Sequence, residues 1–184
     1  MRRIIPIVFG VLAVSVSALA QTAAEGSSDN PALAAAPPQM RDGATIIKWK
    51  PDFTYETVKK GTNRLVCYDR SGEPGRQPFA VQCTSIGNLD RVAQNRKFEA
   101  MTDKAARQKA IDAAEADGTR VKPEYGSVFY MMNGADQAHA RGHMTIAVPG
   151  ATTQSTGLAD NPKQGGAWIM NAGTTTAHIM TPGH

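Results

Sequence analysis

Short apolar runs alternate with polar turns along most of the chain, and this pattern predicts a β-rich fold. Each run is short, and Gly, Pro, Asn or Asp residues separate it from the next. The segment Val128–Met132 is apolar on both of its alternating faces, which is typical of a central strand. A Lys60–Asn63 sequence with Gly and Asn indicates a hairpin turn. Strand-like segments span 44–49, 53–58, 64–68, 78–83, 128–132, 143–148, 167–170 and 174–181.

One region breaks this pattern and is helical in composition. Asn88 is a candidate N-cap, the helical composition persists to Ala116, and Gly118 is placed to end the helix. A second capping sequence at Thr102-Asp103 leaves two alternatives open, one long helix or two shorter helices with a break near Thr102.

Short connections between strands make antiparallel pairing the default. The sequence therefore predicts an α+β domain, with an antiparallel sheet of about five or six strands and one or two helices packed on one side.

The N-terminus predicts export. Arg2 and Arg3 precede an apolar stretch, and Ala18 and Ala20 form a small-residue cleavage site before Gln21. Residues 1–20 are thus predicted to be a signal peptide, in preference to a membrane anchor, because the apolar stretch is short and a polar stretch follows it. Residues 21–43, rich in Ala, Pro, Ser and Gly, are predicted to be a disordered leader. Residues 44–184 then form a single domain in the periplasm or outside the cell, with no transmembrane anchor after cleavage.

Charge gives little support for nucleic-acid binding. The chain has 20 basic and 16 acidic side chains, and loss of Arg2 and Arg3 with the signal peptide reduces the net charge from +4 to +2. No basic stripe carries interleaved aromatic residues, so a nucleic-acid partner is not expected.

Cys67 and Cys83 are the only two cysteines. In an exported protein, two cysteines most often pair, so the sequence predicts a disulfide between them. A metal site and a reactive thiol are the alternatives, and a structural zinc site would need four N or S ligands.

Several short motifs are similar to those of a family of small exported bacterial proteins that has no assigned activity. The motifs are Lys60-Gly61-Thr62-Asn63 with Cys67 and later Cys83, Tyr130 to Asp136, Gly142-His143, and Ala172-Gly173-Thr174 followed by His178, Met180 and Pro182. The resemblance covers most of the mature chain. It implies a shared fold more than a shared chemistry, and it assigns no catalytic residue.

Two histidines are the leading candidates for chemistry. His143 and His178 each open an apolar run that ends at a proline. We expect them on adjacent strands, facing a common surface near the 150–166 loop, as opposed or diagonal neighbours. A divalent metal is the cofactor that this arrangement suggests, whereas two structural histidines are the more common outcome. Because side chains alternate along a strand, Met144 is expected on the opposite face of the sheet from His143, and Met180 on the same face as His178.

Three further residues are candidate ligand-binding positions. Asp136 can orient an imidazole, although an aspartate in a turn more often bonds its own backbone. Tyr130 and Trp168 can line a small apolar pocket, although such residues more often belong to the core.

The sequence contains no motif that fixes a reaction. We therefore expect a non-enzymatic binding or envelope-associated module. A His-centred metal protein is the second expectation and a small hydrolase-like enzyme the third.

Overall fold

The computed structural model describes residues 29–181, which form one mixed sheet with helices against both of its faces. The predicted signal peptide lies outside the described residues. The strands are β1 (Thr45–Trp49), β2 (Tyr55–Lys59), β3 (Leu65–Asp69), β4 (Phe79–Ser85), β5 (Val128–Gly134), β6 (Arg141–Ala147), β7 (Trp168–Met170) and β8 (His178–Met180). The helices are α1 (Pro38–Arg41), α2 (Leu89–Glu99), α3 (Lys104–Ala116) and α4 (Thr153–Thr156).

The α+β class is confirmed, but the predicted composition of the sheet is not. The sheet has eight strands in the order β2-β1-β3-β4-β5-β6-β8-β7, instead of five or six. All pairings are antiparallel except that between β1 and β3, which is parallel. Among residues 29–181 there are four helices rather than one or two, because α1 and α4 add one turn each.

The Lys60–Asn63 segment is not a hairpin turn, and this explains the parallel pairing. β1 lies between β2 and β3, so the segment crosses the end of β1 instead of joining two paired strands. A Cβ atom at Gly61 would lie 2.2 Å from the carbonyl oxygen of Gly43, so only glycine fits this crossing. The backbone N–H groups of Thr62 and Asn63 both donate to that same oxygen, at 2.8 and 2.9 Å.

One face of the sheet, called here the disulfide face, carries Cys67 and Cys83. The two residues are directly opposed on β3 and β4, their Cα atoms are 4.1 Å apart, and they form the predicted disulfide. Both are fully buried, because Ala32, Leu33 and Ala36 pack over them.

The segment from residue 29 to 43 is therefore not a disordered leader. It contains a short 3-10 helix, Pro31–Leu33, as well as α1, and Leu33 is only 1% exposed. The side chains of Ala32 and Ala36 are small, so the backbone of this segment packs closely against the disulfide. The segment is therefore ordered by close packing, although its sequence has no amphipathic period.

The opposite face, called here the cavity face, packs against α2. Leu89 and Val92 of α2 are buried with Ile47, Val66 and Tyr68 of the sheet. The predicted helical region forms two helices, and Asp103 caps the second by accepting hydrogen bonds from the backbone N–H groups of Ala105 (2.8 Å) and Ala106 (3.1 Å).

Asn88 does not cap α2 as predicted. It is fully buried, and its amide nitrogen donates to the hydroxyls of Thr84 (2.8 Å) and Ser127 (2.9 Å). Its side-chain oxygen accepts from the backbone N–H of Glu124 (2.8 Å). This amide thus joins the start of α2 to β4 and to the segment that enters β5.

Within residues 29–181, none of the helices combines the length and the apolar character needed to cross a bilayer.

Candidate functional site

A cavity of about 380 Å³ lies between α2 and the cavity face of the sheet. Strands β5, β6, β7 and β8 form its floor, and Arg91, Val92, Asn95 and Glu99 of α2 form its roof. Its apolar surface comes mainly from Val92, Phe129, Met131, Ala147, Met170 and Met180. Its polar surface includes Arg70, Arg76, Gln82, Arg91, His143, Thr145, Thr176 and His178.

The strand register explains why these side chains share one face. Met131 is opposed to His143, and Thr145 is opposed to both Phe129 and Met180. Because opposed residues in a sheet point to the same side, the alternate positions of β5, β6 and β8 all project into the cavity.

Arg91 is the most unusual group in this cavity, because it is a cation that is only 3% exposed. Its Nη1 donates to the carbonyl of Val121 (2.5 Å) and to the hydroxyl of Thr175 (2.9 Å), and its Nη2 donates to the hydroxyl of Thr176 (2.7 Å). It forms no ion pair with any carboxylate of residues 29–181. Burial, together with the nearby Arg120 cation, lowers the pKa of Arg91 to about 10, so the guanidinium is still charged at neutral pH.

Glu115 of α3 orients the two threonines that hold Arg91. Its carboxylate accepts from the hydroxyl of Thr175 (2.5 Å), from the backbone N–H of Thr175 (3.1 Å) and from the hydroxyl of Thr176 (3.3 Å). Each hydroxyl thus donates to Glu115 and accepts from Arg91. Burial raises the pKa of Glu115, but the hydrogen bonds from Thr175 and Thr176 outweigh it and hold that pKa below its usual value.

The other arginines of the cavity wall are paired. Arg70 bonds to Glu73 (2.9 Å) and to Glu99, and Arg76 bonds to Glu99 (2.7 Å). Arg96 bonds to Glu73 (2.5 Å), so the network links α2 to the loop after β3. Burial raises the pKa of Glu99, but the charges of Arg70 and Arg76 outweigh it and leave that pKa below its usual value. Arg91 therefore differs from Arg70 and Arg76 in lacking a carboxylate partner among the described residues.

His143 and His178 lie on adjacent strands and line the same cavity, as we expected from the apolar run that each of them opens. They are not opposed or diagonal neighbours, however, because His178 is opposed to Ala147, four residues from His143. At about 3.3 Å per residue this offset separates them by roughly 13 Å along the strands. Met144 points to the other face and is exposed, whereas Met180 lines the cavity with His178.

The imidazole of His178 has a defined tautomer. Its Nδ1 lies 2.8 Å from the carbonyl oxygen of Thr176, and since a carbonyl only accepts, Nδ1 carries the proton. Nε2 of the neutral ring is then an acceptor. Residues 29–181 contain no cluster of three or more His, Cys, Asp or Glu side chains that could hold a metal ion. Metal binding by His143 and His178 stays a prediction.

The three predicted ligand-binding residues do not line the cavity. Asp136 lies in the β5–β6 turn, where it accepts hydrogen bonds from the backbone N–H of His139 (2.9 Å) and from its Nδ1 (2.8 Å). These two bonds, the backbone one first, hold the pKa of Asp136 below its usual value. Tyr130 packs on the disulfide face, and Trp168 is opposed to Met180 at the edge strand β7.

Sequence reasoning did not identify Arg91 or the threonines that hold it. A lone arginine on a helix is usually solvated, and the three threonines belong to the segment 174–181, which is predicted to be a strand. The structure places these threonines in the turn before β8, within reach of both α2 and α3. The only local signal was the run of three threonines directly preceding Ala177 and His178.

No family model matches this chain. No curated protein and no solved structure matches it either.

Proposed function

We propose that this protein is an exported, non-enzymatic binding module whose cavity takes a small, partly apolar molecule. The observation that carries the proposal is the cavity of about 380 Å³ between α2 and the sheet. Ligand sites typically occupy about 300–1,000 Å³ and combine an apolar lining with a few polar groups. Methionines and a phenylalanine supply that lining here, and Arg91, a buried cation without a direct ion pair among residues 29–181, supplies the main polar contact.

The methionines suit a binding role because their side chains are flexible and polarizable. Met131, Met170 and Met180 come from three different strands and line the same cavity. Thioether side chains can adapt to ligands of different shape at little cost in packing, which is why methionine is frequent at adaptable binding surfaces.

Two features support export. The Cys67–Cys83 disulfide is fully buried in the core, and stable disulfides form in oxidising compartments. The sequence of residues 1–20 has the charge and apolar pattern of a signal peptide.

A cavity-blocking variant with a matched control tests the binding role. Thr145 lines the cavity, whereas the preceding residue, Met144, is exposed on the other face of β6. The probe is N-phenyl-1-naphthylamine, a neutral amphipathic dye whose fluorescence rises in apolar sites. We expect the wild type and Met144→Trp to bind this dye equally, and Thr145→Trp to bind it at least tenfold more weakly. Equal binding by both tryptophan variants, or none by the wild type, contradicts the proposal.

A soft-metal site is the second candidate function, and the fixed tautomer of His178 favours it. Metal-binding histidines usually donate their second N–H to a carbonyl or carboxylate, as Nδ1 of His178 does. Met170 is opposed to His178, and Met180 lies two residues further along the same face. Thioether and imidazole ligands together suit Cu(I).

This candidate ranks second because the buried positive charge of Arg91, which bonds to Thr176, opposes a cation nearby. Competition of the purified protein with a chromophoric Cu(I) chelator is the test. A submicromolar affinity that His178→Ala abolishes and His139→Ala leaves intact supports the metal site. Failure to compete with the chelator rules it out.

A further inference from the structure

We propose that the ligand of this cavity is an amphipathic monocarboxylate, with its carboxylate held by Arg91 and its apolar chain on the methionines. This inference rests on the proposed binding function and specifies its ligand class.

The hydrogen bonds of Arg91 leave room for one more planar partner. A guanidinium has five N–H donors, and three of them are used by Val121, Thr175 and Thr176. The N–H of Nε and one N–H of Nη2 make no hydrogen bond within the described residues. Nε and Nη2 form one edge of the guanidinium plane, and such an edge holds a carboxylate through two parallel N–H···O bonds.

Charge points to the same class of ligand. Arg91 is a buried cation in a cavity whose other arginines, Arg70 and Arg76, are paired with Glu99. The charge of Glu115 raises the pKa of Arg91, but this carboxylate reaches Arg91 only through the hydroxyls of Thr175 and Thr176. An anion in direct contact with this buried cation therefore gains more than it would at an exposed arginine. A neutral or cationic head group gains no such advantage.

Glu115 does not occupy the place of this ligand. It does not line the cavity, and it approaches Arg91 only through the hydroxyls of Thr175 and Thr176. Because both hydroxyls donate to Glu115, they offer their lone pairs to Arg91 and keep the guanidinium oriented. Arg91 therefore keeps two N–H groups, that of Nε and one of Nη2, for a ligand.

The apolar part of the ligand has a matching surface. Phe129 and Met131 of β5 and Met180 of β8 lie on the cavity face, with β6 between the two strands. An unbranched or singly branched hydrocarbon chain fits this strip, because Phe129 is next to Met131 on the same face of β5, and Thr145 is opposed to both Phe129 and Met180. His143, which is opposed to Met131, borders the strip.

A series of head groups on one chain tests the proposal with the unaltered protein. Octanoate, octanamide and octylamine displace N-phenyl-1-naphthylamine, and each competition curve gives an affinity. We expect octanoate to bind at least about tenfold more tightly than the other two, since hydrogen bonds to a charged partner are about twice as strong as neutral ones. Equal affinities for octanoate and octanamide overturn the carboxylate proposal while the cavity still binds the dye. Absence of dye binding overturns the proposed function itself.

Matched variants of α2 locate the effect. Arg91→Met removes the buried cation, and Lys97→Met removes an exposed cation from the same helix. We expect Arg91→Met to lose the preference for octanoate over octanamide while it still binds the dye, and Lys97→Met to retain both properties. Persistence of a tenfold preference in Arg91→Met overturns the proposal. If Arg91→Met does not fold, as circular dichroism will show, the head-group series decides the question alone.

Discussion

Replacement of Leu33 by alanine tests whether the N-terminal segment belongs to the core. Leu33 is 1% exposed and packs with Cys67 and Cys83 on the disulfide face. Removing three buried carbon atoms costs about 2.4 kcal/mol at roughly 0.8 kcal/mol each. The cavity left behind adds about 1 kcal/mol, so the free energy of unfolding should fall by about 3 kcal/mol.

Urea unfolding followed by circular dichroism measures this change, and the melting temperature should fall by about 6–12 °C. The control is Tyr125→Ala, which removes a larger side chain that is 71% exposed, and we expect a change of less than about 0.5 kcal/mol. If Leu33→Ala destabilises the protein no more than Tyr125→Ala does, the segment is not part of the folded core, and the description of the disulfide face is wrong.

Three other predictions concern the disulfide, the ion-pair network and export. The double replacement of Cys67 and Cys83 by alanine should lower the free energy of unfolding by about 3 kcal/mol, because the bridge spans 16 residues, and a loss below about 0.5 kcal/mol in urea unfolding would count against this. The pKa of Glu99 is lower in the folded protein than its ordinary value of 4.5, so its contribution to stability is present above that pH and is lost as the pH falls through the folded-state pKa. Glu99→Gln should therefore flatten the loss of stability on acidification below about pH 5, and an unchanged pH profile of the melting temperature would refute this. N-terminal sequencing of exported material should begin at Gln21, and an intact Met1 would refute the signal peptide.

The strands were largely predictable from the sequence, whereas their order was not. Each of the eight apolar segments overlaps a strand, because alternation and β-branched composition are local properties. β1 lies between β2 and β3 because the chain passes the end of β1 at Gly61, close to the backbone of Gly43. In the sequence, Gly61 is only a glycine in a turn-like segment, so this contact could not be predicted. A local pattern therefore identified the elements but not the pairing.

The N-terminal segment was mispredicted for a related reason. Its alanines and prolines carry no period, and such composition usually indicates disorder. Burial of Ala32 and Ala36 against the disulfide needs small side chains rather than an amphipathic pattern. The disulfide surface that these alanines cover forms only when β3 and β4 pair, so no local sequence pattern indicates it.

The candidate site was predictable in part. The repeated pattern of a histidine opening an apolar run predicted His143 and His178 on one face of adjacent strands, but their register depends on the long connection between β6 and β8. Arg91 escaped prediction because its burial requires α2, α3 and the Thr174–Thr176 turn together, and these are up to 85 residues apart in the chain. A charged residue on a helix gives no sequence signal for such burial.

A crystal structure of the protein with octanoate tests the central claim most directly. The account predicts that one carboxylate oxygen lies about 3 Å from Nε of Arg91 and the other about 3 Å from its Nη2. It also predicts that the hydrocarbon chain lies along Met131 and Met180. Octanoate bound with its carboxylate away from Arg91, or bound outside the space between α2 and the sheet, would contradict the account.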